Sequence, residues 1–373
     1  MDALRRTVAA LLSFAVVFGP SPAWAGAPAG WDHAGYDAED SYYNPHESAI
    51  NAGTVGKLSL RWSVRLRDHD MSCGRFSAPL VAGGRVIATD KLGIAAYDAL
   101  SGRPSWHFDW ADPGDADVPR MATSGNTLIA ATDDCNSASD PDGQMVALDL
   151  TTGRVRWRFK MGIPVYSFSV DKGVAVVSGY SMSDEKETVA YRASDGRVVW
   201  RKAGYTSGSA SANGRILITD ERVTSAVDIT SGAVRWTRNA YWTAQAATPA
   251  ADRFLVTDGA RTLSAVSATT GAVLWTAPGT DNYRLATDGR RVYRATDSAV
   301  EALNAANGRR AWSRSMSSKA VQPLRAGGLL YAGGPILAAA SGARLPQNLS
   351  NVQTITGGRL LTVTNNVLSS YTP

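Results

Sequence analysis

ALDLTTGRVRW, residues 147–157, is the stretch on which the fold turns, because it returns in altered form along the chain. The copies read AYDALSGRPSW (96–106), AYRASDGRVVW (190–200), AVDITSGAVRW (226–236), AVSATTGAVLW (265–275) and ALNAANGRRAW (302–312). A further copy, ILAAASGARLP (336–346), keeps Ser-Gly but places Pro346 where Trp is due. Successive copies lie 34 to 51 residues apart. A sustained period of that size marks a repeat architecture.

Outward from the first copy the signals come in a fixed order. SAPLVA, the turn Gly83-Gly84, RVIATD, Leu92-Gly93, IAAYDA, Ser101-Gly102 and RPSWHF are four short β-prone segments divided by glycine turns. Four strands every ~40–45 residues make a propeller blade. The chain end, VQTITGGRLLTVTNNVLSSYTP, supplies only three strands, and KLSLRWSVRL (57–66) supplies a fourth with its own Trp62. Pairing the two closes the ring and removes its sheet edges. The fold class expected is therefore all-β: an eight-bladed β-propeller of four-stranded blades, closed by the N-terminal strand. Seven blades is the alternative, if the Trp-less repeat collapses. Trp62, Trp106, Trp157, Trp200, Trp236, Trp275 and Trp312 read as blade-to-blade packing.

Three segments organise the chain. Residues 1–25 carry Arg5-Arg6, an apolar run from Val8 to Gly19 and Ala23-Trp24-Ala25, the pattern of a secretory signal peptide cleaved after Ala25. The run is shorter than the ~20 residues a membrane span needs. Residues 26–56 form a lead-in, and 57–373 a single propeller domain. An exported monomer, not embedded in a membrane, is expected. The net charge of +5 is spread through the repeats, which gives nucleic-acid binding no footing. Cys73 and Cys135, the two cysteines, are expected to pair in an oxidising compartment.

The repeats resemble the tryptophan-docking motif of quinoprotein dehydrogenase-like propellers, A-x-D-x-x-(T/S)-G-x-x-x-W. Asp98, Asp149 and Asp228 match its Asp, while Arg192, Ser267, Asn304 and Ala338 replace it. The segment WDHAGYDAEDSYYNPHESAINAGTVGKLSLRW (31–62) also looks like the lead-in of dehydrogenases that use pyrroloquinoline quinone (PQQ). For those enzymes the resemblance implies PQQ and Ca²⁺ held by Glu, Asn and Asp, an Asp base, and adjacent cysteines over the quinone. Other members are non-catalytic scaffolds, such as the propeller subunit of outer-membrane assembly machinery. This chain has no Cys-Cys pair, no CxxCH, and none of the long inter-blade insertions that build the enzymes' pocket. No motif here matches the calcium-ligand set, so none is assigned.

Strand order assigns the loops to faces. If each first strand enters from the top, the 4→1 and 2→3 loops lie on top, and Cys73 and Cys135 meet there on neighbouring blades. The same face gathers Asp68, Asp70, Asp109, Asp112, Asp115, Asp117, Asp133, Asp134, Asp140 and Asp142. Carboxylate oxygens suit Ca²⁺, which singles out Asp68, Asp70, Asp133, Asp134, Asp140 and Asp142, although DDCNSASDPDG is no EF-hand loop. Ordinary turn chemistry also selects Asp. Aligned first strands bring Arg75, Arg120, Tyr166, Tyr205, Trp242, Asn282, Arg284 and Lys319 to the channel rim, where cations and aromatics would suit a flat anionic ligand. His33, His46, His69 and His107 share no metal-ligand spacing. The function expected is a secreted, non-catalytic binding or scaffold module acting through its top-face loops, on a protein or a small anionic ligand. The alternatives are a Ca-dependent PQQ dehydrogenase of alcohols or sugars, and carbohydrate binding through Tyr166, Tyr205 and Trp242.

Overall fold

The computed structural model describes residues 30–373 apart from 71, 72, 74, 75, 138, 183–185, 280–283 and 317–320. The expected secretory leader therefore lies outside the described residues. Eight sheets follow one another around a ring, each with four blade strands. These run in chain order from the axis outward except in blade 8, and the blade 7 sheet gains Tyr43–Asn44 as a fifth, innermost strand. Blade 1 comprises Leu80–Ala82, Arg85–Thr89, Gly93–Asp98 and Pro104–Asp109, and blade 2 runs from Arg120–Ser124 to Val155–Met161. Blade 8 joins Val352–Thr356, Arg359–Thr364 and Val367–Thr372 to Ser59–Arg65, whose Trp62 lies opposite Ser370. The count is eight, because the Trp-less repeat folds regularly as blade 7, from Leu324–Ala326 to Arg344–Leu349.

Burial follows from position in the blade. The second strands lie between neighbouring blades and are buried almost throughout, as in Val174–Gly179. Outer strands alternate, with Trp106 and Phe108 buried in Pro104–Asp109. The small first residue of each motif explains the tryptophan's room. Trp106, Trp157, Trp200, Trp236, Trp275 and Trp312 stand opposite Ala96, Ala147, Ala190, Ala226, Ala265 and Ala302, all fully buried. Each indole N–H then donates to a carbonyl of the next blade, from Trp62 to Ala99 (3.2 Å) through Trp312 to Ala339 (3.1 Å).

The lead-in becomes the floor of the channel. The innermost strands present unpaired backbone groups to the axis, an exposed edge in need of partners. Residues 31–47 meet them blade by blade. Trp31 exchanges backbone bonds with Val81, the Thr123 amide donates to Asp32, and His33 reaches the Val170 carbonyl. The amides of Ser211, Ala247, Thr287 and Arg325 donate in turn to Ala38, Glu39, Ser41 and Tyr42. Asn44 and Glu47 finish on blade 8, at the Ile355 carbonyl and the Gly358 amide. These contacts cluster at the lower ends of the inner strands, so the lead-in floors the channel from below.

Blades 7 and 8 meet without a docking tryptophan, since Pro346 holds its place. The segment leaving the floor packs across this seam instead. A Cβ on Gly327 of blade 7 would sit 1.7 Å from the Ile50 carbonyl oxygen, and one on Gly56 would sit 2.6 Å from the Gln347 amide.

Candidate functional site: the floored channel and the upper face

A tight turn sets the floor's geometry. A Cβ on Gly35 would lie 2.2 Å from the Asp40 carboxylate, and the Tyr42 amide donates to the Gly35 carbonyl. Tyr36, Asp40 and Tyr42 all hold positive φ (84°, 52° and 50°), a conformation that persists only where surrounding contacts over-determine it. Above this turn lies a cavity of about 420 Å³. Asp37, Asp40, His33 and Tyr42 form its floor, Met121, Phe168 and Ser209 stand on its walls, and Arg120 lies at its mouth.

The floor is electrostatically unbalanced. Asp37 accepts from the Ser41 amide (2.9 Å) and hydroxyl (2.6 Å), yet burial pushes its carboxyl up to about 6. Burial, with Asp37 nearby, pushes Glu39 up to about 7. Asp40 is raised by burial although Ser209 donates to it. His33 has acceptors on both ring nitrogens, the Asp32 carboxylate at 2.8 Å and the Val170 carbonyl at 2.7 Å. That arrangement calls for an imidazolium. Burial lowers its pKa, but Asp32 and the carbonyl outweigh burial and the net shift is upward.

The sequence-predicted rim residues separate. Arg120 reaches the cavity and also donates to the Val165 carbonyl at 3.1 Å. Tyr166 is exposed and packs edge-to-face on Tyr180, ring centroids 4.9 Å apart. Tyr205 and Trp242 are half-buried against neighbouring blades. Arg284 is exposed, and its charge bears on the Tyr42 hydroxyl. Arg75, Asn282 and Lys319 fall outside the described residues.

On the upper face Cys73 and Cys135 form a disulfide between neighbouring blades, Cα atoms 6.2 Å apart and 62 residues apart in sequence. A loop of that size contributes about 4 kcal/mol on the chain-entropy model. The six candidate calcium aspartates do not converge. Asp68 pairs with Lys91 at 2.6 Å, and Asp70 is exposed. Asp133 accepts from the Val165 amide, while Asp140 accepts from Ser181. Asp134 lies near Asp115 and Asp142, and burial raises its carboxyl first, their repulsion second. Among the described residues no group of three or more His, Cys, Asp or Glu side chains is arranged to hold a metal ion.

The described lining fits PQQ poorly. A trianionic quinone needs cations and a calcium set, whereas the cavity floor offers Asp37 and Asp40 against His33 and Arg120. The floor residues were not singled out in the sequence as a site. Their signal was the acidic, aromatic run 31–47, too short for a blade.

Comparison with known proteins places this geometry. A family model described as outer membrane protein assembly factor BamB matches residues 56–164, 141–240 and 219–363. The quinone-dependent alcohol dehydrogenase subunit of Gluconacetobacter polyoxogenes is 28% identical over 189 residues, 47% of this chain and 25% of that protein. BamB of Burkholderia pseudomallei is 27% identical over 173 residues, 43% of this chain and 44% of that one. The chain thus spans about a quarter of the dehydrogenase relative's length. The crystal structure of BamB from Moraxella catarrhalis superposes with a TM-score of 0.60 at 18% identity, covering 85% of this chain and 100% of that one. The quinohemoprotein alcohol dehydrogenase ADHIIG of Pseudomonas putida gives 0.68 at 12% identity, covering 92% and 80%. At those identities the superpositions speak for the fold alone.

Proposed function

The chain belongs to the PQQ-like β-propeller family, and from that footing we propose that it is an exported, monomeric, non-catalytic binding or scaffold module. The observation that carries this reading is the lead-in floor, whose cavity lining sets Asp37 and Asp40 against His33 and Arg120 and so offers, among the described residues, no surplus of cations to an anionic quinone. The upper face is then where a partner docks. It combines the disulfide-tied loops of blades 1 and 2 with exposed Tyr166, Tyr180 and Met182 on blade 3. The blade 2 and blade 3 loops are joined there by a bond from the Met182 amide to the Ser139 carbonyl (3.1 Å). Exposed aromatics and Met beside carboxylates favour a protein partner presenting cations and apolar side chains. The family's scaffold branch supports this reading. The dehydrogenase relatives support the rival, in which PQQ and Ca²⁺ oxidise an alcohol or sugar. Among the described residues that rival lacks a ligand set.

A photo-crosslinking residue at Met182 (upper face) and at Leu100 (lower face) in the exported protein tests the reading. Discrete adducts from Met182 and none from Leu100 are expected. The reverse pattern would contradict it. No helix among the described residues is long and apolar enough to cross a membrane.

A further inference from the structure

A second cavity, about 390 Å³, opens on the lower face between blades 6 and 7. Its described lining is Arg290, Arg291, Arg325, Asp288, Tyr43, Tyr293 and Ala340. Three guanidinium groups therefore face one carboxylate. Asp288 is already engaged, accepting from the Tyr293 hydroxyl at 2.9 Å and standing 3.4 Å from the Arg325 Nε without hydrogen-bond geometry. Arg291 uses one amino group on the Ala340 carbonyl (2.8 Å). The Nε atoms of both Arg291 and Arg325 are buried and make no hydrogen bond. Leaving buried charged donors unsatisfied is costly.

The arrangement is also held in place. The Arg325 guanidinium lies 5.4 Å from the centroid of the Tyr43 ring, a stacking that fixes the plane of its fork. Tyr43 itself is anchored by parallel pairing of Tyr43–Asn44 with Arg325–Ala326. Arg290 is exposed at the mouth. Three guanidinium groups against one carboxylate leave the described lining with an excess of positive charge. A ligand with three or more acceptor oxygens and more than one negative charge would balance it and accept from the guanidinium groups that face the cleft.

We propose that the cleft between blades 6 and 7 is a binding site for a phosphate-class oxyanion, held by Arg291 and Arg325 and gated by Arg290. The phosphate is either free or carried on a lipid headgroup. Titration calorimetry with inorganic phosphate should give saturable binding that weakens as salt rises. Arg325→Gln should weaken it on the order of tenfold or more. Arg290→Gln, at an exposed position that leaves the fold intact, should also weaken it. In a second arm, protein is sedimented with phosphatidylglycerol or phosphatidylcholine vesicles. Recovery with the former, lost in Arg290→Gln, would identify the headgroup as the source. Phosphate binding without vesicle binding would identify the free ion. Binding of neither probe, or binding unchanged in both variants, would overturn the proposal.

Discussion

Gly271 and Gly125 both hold positive φ, 69° and 58°, but only Gly271 has a neighbour where a Cβ would go. A methyl at Gly271 would lie 2.7 Å from the Trp236 ring, and one at Gly125 would meet nothing within 4 Å. The same juxtaposition recurs from Gly102 over Trp62 to Gly342 over Trp312. Each motif glycine thus serves two masters: its own turn and the preceding blade's indole. Gly125→Ala should cost about 1–2 kcal/mol from backbone strain. Gly271→Ala should cost roughly 2–5 kcal/mol, since overpacking adds to that strain. Urea unfolding distinguishes them, and equal costs would contradict the docking role. The glycine's turn role was legible in the sequence. Its steric role was not, because the tryptophan it receives belongs to the previous repeat. The motif's Asp proves dispensable to the turn. Asp228 caps it through Thr230 and Ser231, yet the Gly342 amide still reaches the Ala338 carbonyl where Asp is absent.

The lead-in is the element whose role the sequence least revealed. It has no hydrophobic period, and its partners are backbone groups contributed by eight separate blades. Only folding brings those together. Its electrostatics make its docking pH-dependent. Asp37, Glu39 and His33 all have folded-state pKa values raised above their ordinary ones. A raised group stabilises the folded state below its unfolded pKa, and that stabilisation is lost as pH rises through the folded value. For the two carboxyls the loss spans about 4 to 7. The Ser211 and Ala247 amides, which donate to lead-in carbonyls, should exchange faster at pH 8 than at pH 5.5 after correction for intrinsic rates. Asp37→Asn with Glu39→Gln should flatten the difference. Faster exchange at the lower pH would contradict the assigned shifts.

At the scale of the whole molecule, ring closure was readable from the count of tryptophans, since Trp62 stood unclaimed until the last blade lacked a strand. The upper face's acid and its disulfide were readable too, from strand order alone. The lower face was not. Arg85, Arg215, Arg253, Arg291 and Arg359 begin their second strands there, at equivalent positions that become one surface only once the ring closes. What unites these features is a propeller floored by its own lead-in, whose described cavity lining sets Asp37 and Asp40 against His33 and Arg120 rather than offering the surplus of cations a quinone would need. Titration of PQQ with Ca²⁺ into the purified protein, followed by quinone fluorescence and by reduction of an artificial acceptor with alcohols and aldoses, tests that claim most directly. A flat titration with no acceptor reduction is expected. Saturable quinone binding accompanied by turnover of any of these substrates would contradict it.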